Sequence, residues 1–413
     1  MFEEIFRIVL PDFIIPVIKI FFGTSTIWLP IFLFGIFVSI WLRYVRTKSL
    51  LKNGGILLEI KLPRDVFKSP LAMEVILTSL FQTGGSNFYE TYVKGKFRPW
   101  FSLELVSIEG EVHFYIWTQP KFRKLIESQF YSQYPGVEIF EAEDYTKKVF
   151  IDPGNILLWG ANFKKKNKEG DVYPIKTYVD YGLDREQEEE TKVDPMTSTL
   201  EFMGSLKAGE QVWFQILIQA NRKVTLKDDA IFPTRPAWRK DAEAVIKTKV
   251  ESLTKPASGE TMRRLPTKGE TEIVAALERS LGKLPFEVGM RGFYIARSDA
   301  FDPIGITGLI GSVRQYGSPS LNELGLAKTT DFEYPWQDFR RKRRSILEKK
   351  LLNAYKLRSY FQPPYQFALK TKPFMMNTEE LATIFHLPGK VLATPTLTKI
   401  PSRKSEPPSN LPI

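Results

Sequence analysis

Residues 100–118 read WFSLELVSIEGEVHFYIWT, and this stretch decides the fold. It contains two runs rich in β-branched and aromatic residues, 100–108 and 111–118, separated by Glu109-Gly110. A glycine-containing dipeptide between two such runs is typical of a β-hairpin. We therefore predict a pair of antiparallel strands joined by a tight turn.

Helices and strands flank this hairpin on both sides. Residues 56–62 alternate as a strand, and Ser69-Pro70 begins a helix with proline in its first turn. After the hairpin, Pro120 begins a second helix and residues 137–141 form a last strand. The order β-α-β-β-α-β is that of the ferredoxin-like, or split βαβ, fold. We predict an α+β protein whose first ferredoxin-like domain covers residues 56–150.

A second cycle of strands and helices, again ferredoxin-like, is predicted for residues 151–334, the second α+β domain. We predict strands at 173–181, 212–219 and 286–296, and helices at 195–206, 238–253, 270–281 and 303–316. Two insertions are predicted to be flexible: the charged run 184–192, and 255–271, which is rich in Gly, Pro, Ser and Thr. A basic helical segment, 335–390, and an extended Pro-rich tail, 391–413, follow.

An apolar segment near the N-terminus is long enough to cross a membrane. Residues 20–42 contain 23 positions without a charge. A helix of that length spans about 35 Å, against a hydrocarbon core of about 30 Å. Trp28 and Trp41 lie near its ends, as in an interfacial aromatic belt. A signal peptide is less favoured, because the chain begins with Glu3 and Glu4 and shows no small-residue cleavage site. Residues 1–50 are thus predicted to be a single-pass membrane anchor.

Basic residues on one flank predict the orientation of this anchor. Four of them follow the apolar segment: Arg43, Arg46, Lys48 and Lys52. By the positive-inside rule, the body of the protein lies in the cytoplasm, on the inner face of the cytoplasmic membrane. Residues 9–22 are also apolar but contain two prolines and two charged residues. We favour an interfacial or re-entrant segment there over a second crossing.

Composition argues against several kinds of chemistry. The chain has no cysteine, which excludes disulfides, zinc–thiolate sites, iron–sulfur clusters and a thiol nucleophile. His113 and His386 are the only histidines, and we expect both to be structural. No Gly-Lys pair is followed by Ser or Thr, so the phosphate-binding loop motif is missing. Glu104, Glu109 and Glu111 flank the hairpin turn, where a solvated face is expected. We predict no enzyme, no cofactor and no metal.

The positive charge is concentrated in residues 335–372. The chain has 58 Lys and Arg against 47 Asp and Glu, a net charge of +11, and this stretch holds eleven cations against two carboxylates. Such a segment suits nucleic-acid phosphates or anionic lipid headgroups. The candidate binding residues are Arg340, Arg341, Lys342, Arg343, Arg344, Lys349 and Lys350. A solvated helix face, or a face paired with the acidic run 186–190, is the alternative.

Two further sets of side chains accompany this charge. One set recurs at helical spacing and predicts a buried stripe under the basic face: Phe339, Leu347, Leu351, Ala354 or Tyr355, and Arg358. The other set is aromatic: Tyr355, Tyr360, Phe361 and Tyr365. These rings either stack on bases or, more simply, pack in the core.

The C-terminal part of the sequence resembles a known class of proteins. Residues 376–388 read MNTEELATIFHLP, and residues 402–412 read SRKSEPPSNLP. Both resemble the segment that precedes the nucleotide-binding core in membrane-anchored type IV secretion or conjugation-type ATPases of the HerA/FtsK-like class. Three upstream stretches resemble the amino-terminal region of the same proteins: 100–115, 134–139 and 288–295. The resemblance covers about residues 57–412.

This resemblance implies a function, although the sequence ends where the motor domain begins in that class. It implies a non-catalytic, membrane-anchored component of a type IV secretion-like apparatus, which moves DNA or protein across the cytoplasmic membrane. A separately encoded P-loop ATPase in trans, and homo- or hetero-oligomers, are the implied partners besides the lipid bilayer. The rival hypothesis is a membrane-surface protein that binds single-stranded nucleic acid through the basic helix.

Overall fold

The computed structural model describes residues 21–62, 68–84, 87–150, 154–166, 170–185, 193–221, 225–226, 233–235, 238–254, 266–332, 334–361 and 371–388. The chain forms two compact units, which we describe separately. The first comprises Met1–Lys52 and Ser86–Phe97, and the second comprises Asn53–Gly85 and Arg98–Ile413. Helices and strands are both abundant, so the predicted mixed α+β class is confirmed.

The helices of the described residues are α1 (Ser25–Asn53), α2 (Pro70–Ser79), α3 (Phe88–Tyr92), α4 (Arg123–Gln133), α5 (Pro195–Gly204), α6 (Trp238–Thr254), α7 (Lys268–Leu281), α8 (Pro303–Arg314), α9 (Lys342–Lys356) and α10 (Thr378–Ile384). Short 3₁₀ turns occur at Pro120–Phe122, Tyr145–Lys148, Pro335–Gln337 and Phe339–Arg341. Several of the helices begin at a capping side chain followed by proline, as at Ser69-Pro70, Asp194-Pro195 and Asp302-Pro303. The side-chain oxygen accepts a hydrogen bond from an N–H of the first turn. Proline is favourable at the first helical position because a backbone N–H there would have no partner within the helix.

The first unit is built on α1, a helix of 29 residues. Its most apolar window has a mean hydropathy of 2.0, and its length and composition are those of a membrane span. A signal sequence near the N-terminus meets the same two criteria. Pro30 lies inside the helix without ending it. The second helix of this unit is the short α3. Most of the apolar residues 9–22 lie outside the described part of the chain.

The second unit contains one large antiparallel sheet of nine strands. They are β1 (Ile56–Lys61), β2 (Phe101–Ile108), β3 (Glu111–Thr118), β4 (Glu138–Glu141), β5 (Ile156–Lys165), β6 (Glu210–Ala220), β9 (Pro285–Arg297), β10 (Leu324–Thr329) and β11 (Phe374–Asn377). A separate two-stranded ribbon is formed by β7 (Thr225–Leu226) and β8 (Pro233–Arg235). The strand order along the main path is β10-β5-β9-β6-β2-β3-β1-β4, and β11 pairs with β9.

The predicted hairpin lies at the middle of this sheet. β2 and β3 pair with Ile108 opposite Glu111, so the turn contains only Glu109 and Gly110. Both turn residues have positive φ, 53° and 90°, which the tight turn requires. On its other side, β2 pairs with β6 from Phe101 to Ile108. This pairing joins the strands of the two predicted domains into one continuous sheet.

The two faces of the sheet are covered differently. On one face, the main core packs the sheet against apolar residues of five helices, α2, α4, α5, α8 and α10. On the other face, a second core packs the sheet against α9 and the turn Tyr145–Lys148. β6 is buried along almost its whole length because both faces of this central strand are covered.

Helix α10 is wholly buried, although its first turn carries two carboxylates. Asn377 caps it by accepting from the Glu380 N–H at 2.8 Å, and the Glu380 side chain accepts from the Asn377 N–H at 2.9 Å. Glu380 also pairs with Lys165 of β5 at 2.7 Å, with both side chains only 1% exposed. The neighbouring Glu379 pairs with Arg279 of α7 at 3.0 Å. Buried ion pairs therefore tie α10 to β5 and α7.

Residues 173–181 are not the strand that we predicted. They form an irregular stretch followed by a turn, and two of their N–H groups bond to side chains of α10. The Ile175 N–H donates to Glu380 and the Tyr178 N–H donates to Thr383, both at 2.9 Å. Because these donors are already used, the segment needs no neighbouring strand.

The strand of this region is β5, which the sequence analysis missed. Gly160 and Asn162 are poor strand formers and weaken its signal. A Cβ added at Gly160 would lie 2.8 Å from a methyl group of Leu351, so glycine lets α9 approach the strand closely here.

The predicted flexible insertions fall mostly outside the described residues. This holds for 186–192 and for 255–265. Residues 268–271 are an exception, since they form the first turn of α7 instead of the end of a loop. Thr267 and Glu270 form a capping box there, with the Thr267 hydroxyl accepting from the Glu270 N–H at 3.4 Å.

Replacing Glu380 by glutamine should destabilise the protein by about 3–5 kcal/mol, because it leaves the buried Lys165 ammonium without its counter-charge. Thermal unfolding of the full chain in detergent micelles measures the effect. Glu272→Gln is the matched control, since its pair with Lys268 is largely exposed and should contribute less than about 1 kcal/mol. Equal melting temperatures for E380Q and E272Q would contradict the prediction.

Candidate functional site

Helix α9 and the turns before it carry the basic residues of the predicted site. Five of the seven candidates are exposed: Arg340, Lys342, Arg343, Lys349 and Lys350. Lys342 and Lys349 are seven residues apart, so they share one face of the helix, and Lys350 is next to it. Arg341 lies in the turn Phe339–Arg341, but its side chain is outside the described part of the structure.

Exposed aromatic rings lie beside these cations. Trp336 is 74% exposed and Phe339 is 79% exposed, which is unusual for such large apolar side chains. Tyr334 stacks on Trp336, with ring centroids 4.7 Å apart and an interplanar angle of 15°. The Arg340 guanidinium lies 5.8 Å from the centroid of the Phe339 ring. We define the aromatic–basic surface by these residues: Tyr334, Trp336, Phe339, Arg340, Lys342, Arg343, Lys349 and Lys350.

A sharp change of backbone direction creates this surface. Arg340 has a φ of 59°, in the left-handed region, and this separates the Phe339–Arg341 turn from α9. Asp338 then caps the helix, accepting from the N–H of Arg343 at 2.7 Å and of Arg344 at 3.0 Å. Phe339 was predicted to belong to the buried stripe, and this is wrong. It precedes the break, so its direction does not follow the helical period of α9.

Arg344 is used internally. Its guanidinium pairs with Asp331 at 2.7 Å and with Glu348 at 2.8 Å. Two carboxylates therefore hold this side chain, and Arg344 stabilises α9 instead of adding to its exposed basic face.

The inner face of α9 holds the helix on the sheet. Leu351, Leu352 and Tyr355 are buried in the second core with strand residues that include Trp213 and Phe293. Of the two alternatives for the aromatic set, core packing is thus correct for Tyr355 and Tyr360, because both rings are buried. Phe361 is half-buried, and Tyr365 lies outside the described residues. The exposed rings are the ones before the helix, and the sequence Tyr334-Pro335-Trp336 beside the basic run was the available signal for them.

A buried carboxylate lies under α9. Glu104 of β2 was expected in a solvated face, and this is wrong, since its side chain is fully buried. Arg358 binds both of its carboxylate oxygens, at 3.0 and 3.1 Å. Ser102 and Gln215 donate to one oxygen at 2.7 and 2.9 Å, and Tyr145 donates to the other at 2.8 Å. Both oxygens of the Glu104 side chain are therefore engaged by neighbours within the protein, which is a structural role.

Tyr145 and Tyr355 extend this network. Their hydroxyl oxygens are 2.7 Å apart. Burial raises the pKa of both phenols well above the ordinary value, and the nearby Glu104 carboxylate raises them further. Both therefore stay protonated and act as hydrogen-bond donors at physiological pH. Burial opposes the charge of Arg358, but Glu104 and Asp144 outweigh this and raise the pKa of Arg358 well above its ordinary value.

The remaining sequence candidates have local roles. His113 Nδ1 lies 2.8 Å from Glu59 of the neighbouring strand β1. Glu109 accepts from the Gly209 N–H at 2.8 Å, so it braces the hairpin turn, while Glu111 is exposed. Among the described residues, no group of three or more His, Cys, Asp or Glu side chains is arranged to hold a metal ion.

Comparison with known proteins gives a family. A family model described as a domain of unknown function, DUF8128, matches residues 52–399. The chain belongs to the DUF8128 family. The match covers the sheet, α9 and α10 of this DUF8128 protein, and it begins after the apolar part of α1. Among curated proteins, none matches the sequence.

The second histidine of the DUF8128 domain closes the end of α10. His386 Nδ1 lies 2.8 Å from the Ala382 carbonyl oxygen, and Nε2 lies 3.1 Å from Asp194, the cap of α5. Burial alone would lower the pKa of His386, but the Asp194 carboxylate outweighs it and raises that pKa above the ordinary value. In turn, burial would raise the pKa of Asp194, but His386 holds it below the ordinary value.

This pair should make the DUF8128 domain less stable as the pH rises above neutral. A histidine with a raised folded-state pKa contributes fully below its unfolded pKa of about 6.5, and it loses that contribution as pH rises through the folded value. Asp194, with a lowered pKa, loses its contribution only as the pH falls into the acid range. Chemical denaturation at about pH 6 and about pH 9 tests this. His386→Gln should cost more stability at the lower pH, and an equal cost at both would contradict the prediction.

Proposed function

We propose that this chain is a non-catalytic, membrane-anchored component of a translocation apparatus of the type IV secretion or conjugation class. It acts with a separately encoded P-loop ATPase. The observation that carries the proposal is the burial of residues 376–388, which belong to one of the two most specific parts of the resemblance. This motif forms α10 and its flanks, which buried ion pairs tie to β5 and α7. A motor that docks in trans requires a rigid body at this position, and such a tie supplies the rigidity.

The anchor of this component is α1, as a single-pass helix with the body in the cytoplasm. Support comes from the length and hydropathy of α1 and from the four cations that follow its apolar part. Only Gly54 and Gly55 separate α1 from β1 along the chain.

The body consists of two ferredoxin-like units in this proposal. The order β4-β1-β3-β2 supports the first unit, because a split βαβ fold places its strands in the sequence order 4-1-3-2. The order β10-β5-β9-β6 supports the second unit by the same rule, with β5, β6, β9 and β10 as its four strands. Among the described residues, the outer strands β4 and β10 each pair with one neighbour in the main sheet, and the backbone groups of the other edge are where a neighbouring subunit of an oligomer would bind.

A non-catalytic role agrees with the use of the buried carboxylates. Glu104 is held by Arg358, and Glu380 is held by Lys165. Both carboxylates thus hold elements of the body together, Glu104 with the segment after α9 and Glu380 with β5.

The full chain should recover a P-loop ATPase when it is crosslinked in its native membranes, purified, and read by mass spectrometry. The control is residues 1–52 fused to an unrelated soluble domain, which keeps the anchor and lacks the body. Recovery of the ATPase with the full chain alone would support the proposal. Recovery of only self-crosslinks, or equal recovery with the control, would contradict it.

A second candidate function is the binding of single-stranded nucleic acid at the aromatic–basic surface. The observation that favours it is the exposure of Trp336 and Phe339 close in sequence to the exposed cations of the aromatic–basic surface. Proteins that bind single strands combine cations along the phosphate backbone with rings that stack on bases.

Replacing Arg340, Lys342, Arg343 and Lys349 by glutamine should weaken single-stranded DNA binding at least tenfold. The plot of log affinity against log salt should also become flatter by up to about 3, because each lost phosphate contact removes about 0.7 from the slope. Fluorescence anisotropy at several salt concentrations measures both effects. The matched control replaces four exposed lysines elsewhere: Lys121, Lys124, Lys207 and Lys328. An equal loss in the control would show that binding follows net charge and not this surface.

A further inference from the structure

The first unit contains a segment that packs beside α1 without being part of it. Residues 87–96 read NFYETYVKGK and include the short helix α3. We name them the interfacial loop. They interrupt the body's sequence between α2 and β2, yet they belong to the same compact unit as α1.

Two backbone contacts fix the interfacial loop on α1. The Trp41 indole N–H donates to the Tyr92 carbonyl oxygen at 2.9 Å. Gly95 has a φ of +64°, and a Cβ added to it would lie 2.4 Å from the Val45 carbonyl oxygen. Only glycine therefore allows the two backbones to come this close. The buried residues of α1, Leu42, Val45 and Arg46, lie at this same level of the helix.

These contacts place the loop at a particular level of α1. Residues 41–46 are where the uncharged segment ends and the basic flank begins. In a spanning helix this is the boundary between the hydrocarbon core and the headgroups, where Trp and Tyr are enriched. Trp41 itself stays partly exposed, and Tyr44 is exposed beside it.

The outer side of the interfacial loop is apolar and aromatic. Phe88 is 71% exposed and Tyr89 is 57% exposed, and Val93 is exposed as well. Phe88 stacks on Tyr92 with ring centroids 4.4 Å apart. The Lys94 ammonium lies 5.4 Å from the centroid of the Tyr89 ring. Lys96 pairs with Glu90 at 3.0 Å, so it remains close to the rings. Exposed rings with amines beside them are typical of segments that lie in the membrane interface.

We propose that the interfacial loop inserts Phe88, Tyr89 and Val93 into the headgroup region of the bilayer beside the basic end of α1. The occupant of this face is the lipid bilayer, because the loop is held at the helix level where the lipid surrounding α1 ends. Lys94 meets the anionic headgroups, together with the exposed Arg43 and Lys48 of α1. The loop then sets the depth and tilt of α1. This inference rests on the proposed role of α1 as the membrane anchor.

Depth-dependent quenching in nanodiscs tests the proposal, and the absence of cysteine allows single labels on the otherwise natural chain. The full chain carries a fluorophore at Phe88→Cys, at Leu33→Cys in α1, or at Ile304→Cys on the exposed side of α8. The nanodiscs contain phosphatidylcholine and phosphatidylglycerol, with a nitroxide either at the headgroup or deep in the acyl chain. The headgroup nitroxide should quench the Phe88→Cys label at least twofold more than the deep one. The Leu33→Cys label should show the reverse, and the Ile304→Cys label should show little quenching by either.

The outcomes separate this inference from the proposed function. Deep quenching at Leu33→Cys without quenching at Phe88→Cys would contradict the insertion of the interfacial loop. It would still support α1 as the membrane anchor. No quenching at Leu33→Cys would overturn the anchor, and the inference with it. Quenching at Phe88→Cys by a bound protein's label, but not by the lipid nitroxides, would assign the face to a partner and also overturn the inference.

A second variant tests whether the contact with α1 positions the loop. Gly95→Ala places a methyl group against the Val45 carbonyl and should reduce headgroup quenching at Phe88→Cys at least twofold. Gly170→Ala is the matched control, since Gly170 also has a positive φ, +95°, but has nothing within 4 Å of an added Cβ. An equal reduction in both variants would show that backbone strain, and not displacement of the loop, lowers the quenching, and would contradict the positioning role.

Discussion

The antiparallel pairing of β2 with β6 joins the two halves of the main sheet, and the rest of the body is arranged around it. Both strands are covered on both faces, so each polar side chain on them needs a partner inside the protein. Glu104 and Gln215 lie opposite each other across this pairing, and the amide of Gln215 donates to Glu104 at 2.9 Å. Arg358 supplies the counter-charge from a position 254 residues later in the chain. The central pairing is therefore complete only when the segment after α9 has docked.

The same dependence on distant partners appears on the opposite face. Glu380 reaches Lys165 of β5, and His386 reaches Asp194 at the start of α5. In both cases a charge near the C-terminal end of the described residues neutralises one that is buried much earlier in the sequence. Buried charges of this kind stabilise a fold only with their partners in place. The cations of the basic segment thus divide into two sets: those that close the core, such as Arg358, and those of α9 that the core does not use.

The sequence predicted the elements whose signals are local. The hairpin turn at Glu109-Gly110 and the helix start at Ser69-Pro70 both depend on residues next to each other, and the structure has both. What was wrong or missed depends on tertiary contacts. The N–H groups of Ile175 and Tyr178 bond to side chains of α10, so an apparent strand at residues 173–181 is irregular instead. Glu104 is buried because a distant arginine neutralises it, and no local pattern shows this. Phe339 is exposed because a single left-handed residue, Arg340, shifts the helical phase. The ferredoxin-like reading of the strand order stays a prediction.

The interfacial loop and the aromatic–basic surface both combine exposed rings with cations, so charge density alone does not distinguish them. The element that supports each surface does distinguish them. The interfacial loop is held against an apolar helix, and its rings face outward at the level where that helix becomes basic. The aromatic–basic surface is held on the sheet by buried leucines of α9, and one of its exposed rings, Phe339, lies beside the guanidinium of Arg340. Rings next to a spanning helix extend its contact with lipid, whereas rings among cations on a rigid sheet suit planar, anionic partners. The same residue types therefore indicate different partners, because the structure decides what lies next to them.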